Sequence, residues 1–154
     1  NVIKHVPENE PYANGETVED ALLASIVPRV LMPDKKKAGG RENFRRFTGQ
    51  DINKGTSMGI SIVGEAYANY GANAWVFMFF YGLSLGMVLN WLHKKSTRNG
   101  LVYFFIPLLF LQVIKAETEL AVVANHLIKS LLVLLLFMPL LNKWHEKYRL
   151  QNHD

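Results

Sequence analysis

Between Arg29 and Lys54 the sequence carries eight lysines and arginines against Asp34, Glu42 and Asp51, a local surplus of +5. Across residues 1–71 the charges cancel at nine of each sign, so the basic character is focused rather than general. Arginine presents a planar fork of donors that matches phosphate and pyrophosphate oxygens in pairs. The candidates for such contacts are Arg29, Lys35, Arg41, Arg45 and Arg46. The same charges also suit the anionic headgroups of membrane lipid, or a solvated loop. The apolar second half of the chain makes nucleic acid a poor partner, and none is expected.

Glu65 is the second feature. It lies among small and apolar residues in GTSMGISIVGEAYANYG (55–71), next to Tyr67, Asn69 and Tyr70. A carboxylate in such surroundings can act as a general base or pair with a loop arginine. It can equally be an interfacial helix cap flanked by tyrosine anchors.

The third is a polar stripe. If the chain is helical from Lys115 onward, Lys115, Glu119, Val122, His126 and Lys129 share one face at steps of three and four. Glu119, His126 and Lys129 then line a cavity within the membrane, because an ionisable side chain at that depth faces protein or water. An ion pair with a helix outside this stretch satisfies the same pattern. The five histidines, at 5, 93, 126, 145 and 153, are scattered without ligand spacing, and cysteine is absent. Neither a metal nor another cofactor is therefore expected, and disulfides and thiol nucleophiles are excluded.

The elements that must position these groups divide the chain in two. Apolar residues make up 49% of the 154 and crowd into the second half. Ala72–Leu92 holds no charge over 21 residues, with Trp75 and Trp91 near its ends. That length crosses a hydrocarbon layer of about 30 Å, and tryptophans belong at its two surfaces. Two further spans are expected at about 99–116, containing Pro107, and 120–141, interrupted by His126 and Lys129. The last two form a helical hairpin with the acidic turn Glu117–Glu119 at its tip, or else one re-entrant element. Gly82 and Gly86 offer a small-residue contact surface on the first span.

The expected fold class is therefore an all-α integral membrane protein of about three transmembrane helices. A partly helical, extracytoplasmic basic loop over 1–71 precedes them, and a short cytoplasmic tail over 142–154 follows. Within the loop, Thr17 is placed to cap a helix over Val18–Val27 that stops at Pro28, with Asp20 at the third helical position. The basic runs HKKSTRN (93–99) and Lys143, Lys147 and Arg149 mark cytoplasmic ends, whereas Lys115–Glu119 is net acidic. The chain starts at Asn1 without a signal-peptide leader, and the expectation is of a fragment of a larger multi-pass protein whose upstream transmembrane helices complete the site.

Two segments then resemble a known family. Pro28-Arg29-Val30-Leu31-Met32-Pro33-Asp34-Lys35 resembles the PRFLWPDKP type of motif in bacterial oligosaccharide repeat-unit polymerases, the O-antigen (Wzy-type) group. About thirty residues on, Gly64-Glu65-Ala66-Tyr67-Ala68-Asn69-Tyr70-Gly71 is similar to the GE-x-Y-x-N-F/Y-G signature that opens the next membrane helix there. The order of large outer loop and final spans matches as well. The likeness covers roughly residues 18–92, and the last two helices by architecture alone. Val30 and Met32 stand where aromatics are usual and Lys36 where proline is usual, while Arg29, Asp34, Lys35 and Glu65 are retained.

What the resemblance implies is a metal-independent membrane glycosyltransferase of the bacterial inner membrane, with residues 1–71 periplasmic or extracellular. Its substrate would be an oligosaccharide repeat unit carried on undecaprenyl pyrophosphate, a polyprenyl-pyrophosphate lipid. Units would be joined into O-antigen, capsule or exopolysaccharide. Arg29 and Glu65 become the catalytic candidates, Arg29 toward the departing pyrophosphate and Glu65 as base or arginine-orienting group. Lys35, Arg41, Arg45 and Arg46 are further pyrophosphate contacts. The alternatives are an O-antigen ligase, which moves finished glycan to a different acceptor, and a non-catalytic membrane subunit or transporter segment whose loop binds anionic lipid.

Overall fold

A computed structural model describes residues 1–27, 40–53, 55, 58–97 and 100–151, with no side-chain description at 141 or from 144 onward. Arg29 and Lys35 lie outside the described residues. Among the described residues seven α-helices follow in chain order: α1 Val2–His5, α2 Glu16–Ile26, α3 Arg41–Thr48, α4 Ser61–Tyr70, α5 Ala74–Ser96, α6 Leu101–Phe110 and α7 Leu120–Gln151. Among the described residues there is no strand.

The run Ser61–Ser96 is 36 residues long, about 54 Å at the helical rise and far more than an apolar layer needs. It is divided at Gly71, whose φ of 55° turns the backbone before a short 3₁₀ turn over Gly71–Asn73. A Cβ at Gly71 would lie 2.7 Å from the Tyr12 ring, so glycine is required for both conformation and space. Beyond the turn, the 23 residues of α5 make about 35 Å of helix, starting two residues after Ala72 and running four past Leu92. α4 folds back onto the N-terminal segment and stands outside the span. α5 and Leu120–Leu140 of α7 are long and apolar enough to cross a membrane. Large apolar side chains on both are exposed, among them Trp75, Phe79, Phe80 and Leu136, as suits contact with lipid.

The expected span at 99–116 takes a different form. α6 has 10 residues, about 15 Å, roughly half the thickness of the layer. Pro107 has no N–H to give the preceding turn, and past Phe110 the chain continues in tight turns, with Val113 N–H on the Phe110 carbonyl at 2.9 Å. The helix is too short to span alone, because tight turns past Phe110 interrupt an apolar stretch that composition reads as continuous. Even so, α6 runs antiparallel to its neighbours. Leu92 near the end of α5 packs with Val102, Leu109 and Leu134, while Leu120 and Ala121 at the start of α7 pack near Phe77 and Tyr81. α5 and α7 are therefore parallel, and α6 with residues 111–119 returns the chain between them. α7 continues as helix through most of the expected tail.

The N-terminal half makes its own small core from Val6, Ala13, Phe44, Phe47, Ile60 and Ala68. α2 carries buried Thr17, Ala21 and Ser25 at four-residue intervals, a stripe of small residues that lets it lie close against the start of α7 at Leu120 and Ala121. Gly82 and Gly86 meet nothing within 4 Å where a Cβ would stand, so that surface is not used among the described residues.

Candidate functional site

Three polar groups converge where α2, α4 and the start of α7 meet. The first is Asn69. Its amide nitrogen donates to the Thr17 hydroxyl at 2.6 Å and the Glu65 carbonyl at 2.8 Å, and its oxygen accepts the Gly15 N–H at 3.0 Å. Every hydrogen-bonding position of that amide but one lone pair is occupied. Thr17 is thus not the helix cap. The left-handed Gly15 (φ 96°) is, with its N–H held by Asn69, and α2 starts at Glu16. A partner 52 residues away draws the threonine hydroxyl inward instead.

The second is Glu65, 2% exposed. Its Oε2 accepts the Leu120 N–H at 2.9 Å, one of the donors that the first turn of α7 leaves unpaired. A negative group at that position also faces the positive end of the helix dipole. Burial pushes the carboxyl up to about 7, and the Glu119 charge adds to the rise. The Leu120 N–H and the Thr17 hydroxyl act against it.

The third is Glu119, also 2% exposed, whose backbone carbonyl accepts the Val122 and Val123 N–H groups in the first turn of α7. Its side chain accepts the Ile60 N–H at 3.2 Å and the Gly40 N–H. One carboxylate thereby ties the start of α3 and the start of α4 to the start of α7. Gly59 permits the approach, since a Cβ there would lie 2.8 Å from the Glu117 carbonyl and from Glu119 Cγ. Burial raises the Glu119 carboxyl as well, against the two backbone donors. Glu119 is thus a buried clasp, while Glu117 at the same tip is exposed.

The basic residues separate by role. Arg46 reaches inward, pairing with Glu10 at 2.5 Å and Glu16 at 3.0 Å and lying over the Phe47 ring at 4.9 Å. Those acids raise its already high pKa, with Glu10 contributing most. Arg45 makes an exposed pair with Asp51 at 3.2 Å, and Arg41 is exposed at the start of α3. α3 therefore buries Phe44 and Phe47 while presenting Arg41 and Arg45 outward. Gly40, bonded to Glu119, follows directly on the segment 28–39 that holds Arg29 and Lys35.

The polar stripe on α7 divides. Val122, His126 and Lys129 stay together, lining a cavity of about 390 Å³ with Gln112, Ala121 and Asn125. Glu119 joins Glu65 instead, as its position at the helix start turns its side chain toward Gly40 and Ile60. His126 Nε2 sits 2.7 Å from the Leu108 carbonyl, which the early end of α6 leaves without a full helical partner. The shared roles of Asn69 and Glu119 escape sequence reasoning because most of their partners lie 52 to 79 residues away, chiefly as backbone groups. The one available signal was Asn69 itself, a polar residue inside the GE-x-Y-x-N motif.

A family model described as O-antigen polysaccharide polymerase Wzy matches residues 40–145. The chain belongs to that family. The match runs from Gly40 into α7 as far as residue 145, so Glu65, Asn69, Glu119, His126 and Lys129 of this Wzy-family chain fall inside it, whereas α2 and the Arg29 segment fall before it. No curated protein and no solved structure matches the chain. Membership accords with two helices apolar enough to cross a membrane, and with a part in O-antigen polysaccharide biosynthesis.

Proposed function

We propose that this chain acts in the membrane glycosyltransferase reaction that polymerises repeat units carried on a polyprenyl pyrophosphate. The family match over 40–145 carries the proposal. In this reading α5 enters the inner membrane from the periplasmic or extracellular face, and residues 1–71 with the Glu117–Glu119 turn stay on that face. The basic runs at 93–99 and after Leu141 are cytoplasmic. Arg29 and Lys35, with Arg41 and Arg45 on the outward side of α3, receive the pyrophosphate as it departs. Arg46 serves the fold, being already held by Glu10 and Glu16. Glu65 is a positioning residue: its burial and its bond to Leu120 favour holding the outer helices on α7 over touching an acceptor hydroxyl.

The test is a glycan-length assay in cells of the native host, with Arg29→Ala and Glu65→Gln compared at equal membrane abundance. Arg29→Ala should leave single repeat units in place of a ladder. Glu65→Gln, which keeps an acceptor oxygen for Leu120, should retain a ladder. Loss of that ladder in a folded Glu65→Gln protein would make Glu65 a base in the reaction. Normal ladders in Arg29→Ala would remove the pyrophosphate role. If either loss instead leaves full-length polymer stranded on its lipid carrier, the enzyme is an O-antigen ligase. If neither variant alters any glycan, the loop merely binds anionic lipid.

A further inference from the structure

Lys129 is the tenth of the 21 residues from Leu120 to Leu140, about 14 Å along the helix from its start and farther from the other end. That is near the middle of the span, deeper than a lysyl stem can bridge to either surface by snorkelling. No aspartate or glutamate occurs between residues 66 and 116 or between 120 and 145. The nearest acid, Glu119, is turned away toward Gly40 and Ile60. Among the described residues no ion pair reaches Lys129, and its side chain is exposed beside the cavity it shares with Gln112, Asn125 and His126. The polar patch lies within an otherwise apolar stripe, with exposed Val122 above it and exposed Val133 and Leu136 below.

We infer that this face of α7 docks a membrane-spanning helix that carries an aspartate or glutamate at mid-span, and that Lys129 is its counter-charge. Charge complementarity at that depth sets the occupant. A lipid headgroup phosphate sits at the surface, not mid-span. A second copy of this chain has no acid to offer there. Apolar residues above and below the patch supply the packing of an interhelical seam, and the Gln112 and Asn125 amides can bond the second carboxylate oxygen. The inference rests on the membrane placement proposed above.

The experiment places the photo-crosslinking residue p-benzoylphenylalanine at Val122 in the protein in its native membrane, irradiates, and sequences the adducts by mass spectrometry. The expected adduct is a peptide from an apolar, span-length segment that contains an aspartate or glutamate. Lys129→Met should lower its yield at least fivefold, and Lys129→Arg should leave it within about twofold. Adducts to lipid alone, to a second copy, or to segments without an acid would overturn the inference. So would an absence of adducts, or a yield that Lys129→Met does not alter. The Val122 adduct with Lys129 unchanged decides the case even if Lys129→Met fails to fold. Recovery of the protein in the soluble fraction would instead overturn the membrane placement itself.

Discussion

The outer layer (α1 to α4) and the apolar layer (α5 to α7) are held together by different physics. Polar contacts of the outer layer reach far along the chain: Asn69 to Gly15 and Thr17, Glu65 to Leu120, Glu119 to Gly40 and Ile60, and Arg46 to Glu10 and Glu16. In the apolar layer most are local, such as Ser84 to the Tyr81 carbonyl and Asn125 to the Ala121 carbonyl. Bonds that join different helices there include His126 to Leu108 and Tyr103 to His93. Directional bonds therefore fix the outer layer, where removing one partner strands another in a buried setting. Apolar contact fixes the membrane layer, where no single polar group decides the arrangement.

The sharpest break of that contrast is Glu119→Ala. It strands the Gly40 and Ile60 N–H groups, each worth about 1–3 kcal/mol when buried without a partner. Thermal unfolding of the detergent-solubilised protein should drop by many degrees, and protease should cut near Gly40 and Gly59 before any site in α5. If α3 and α4 remain protected in that variant, the clasp is not what holds the outer layer. Glu119→Gln keeps one acceptor oxygen and should fall between.

Glu65 should make stability depend on pH. Its carboxyl is raised from the ordinary 4.5 to about 7 by burial, so the folded state holds a proton that the unfolded chain releases. Stability from this group is therefore fully present below about pH 4.5 and declines as pH rises to about 7. The full span is on the order of 3 kcal/mol at 1.36 kcal/mol per unit. Glu119, raised in the same direction, adds to the slope. Melting curves from pH 4 to 8 should show the native protein losing stability relative to Glu65→Gln, which mimics the protonated acid. Parallel curves would mean that Glu65 titrates normally and is not buried as described.

Asn69→Ala should come next, at about 1–3 kcal/mol, since the Gly15 N–H loses its acceptor and the Thr17 hydroxyl its donor. Hydrogen exchange should rise at Gly15 and in the first turn of α2, while α5 and α6 stay unchanged. Equal loosening of α5 would show that the two layers are one cooperative unit.

The same contrast explains what was legible in the sequence. The charge-free run that became α5 could be read directly, because composition is what sorts a segment into lipid. The apolar stretch around α6 reads as one longer span, because hydropathy is blind to the tight turns past Phe110 that end the helix. Thr17 had every local mark of a cap, yet Asn69 drew it inward, and nothing in the sequence near Thr17 announces that partner. Glu119 fitted a polar stripe by spacing alone. Position at the helix start outweighed periodicity there, since the end of a helix offers bonding geometry that its middle does not. Arg46 and Arg45 were indistinguishable as neighbours in a basic run. The phenylalanines on either side of them, Phe44 and Phe47, set which face of α3 is buried, and the faces then gave the two arginines different partners.

Arg45→Ala is the smallest expected effect and the one that separates structure from function. Its pair with Asp51 is exposed on both sides, at 70% and 67%, and such pairs contribute less than about 1 kcal/mol. The melting temperature should scarcely move, whereas Arg46→Ala strands Glu10 beside the outer core and should lower it clearly. If the outward side of α3 receives pyrophosphate, Arg45→Ala should nevertheless shorten the glycan ladder or raise the substrate concentration needed for half-maximal extension. An unchanged ladder at unchanged stability would leave Arg45 a solvated charge and confine the anion-binding role to Arg41 and the segment that holds Arg29 and Lys35.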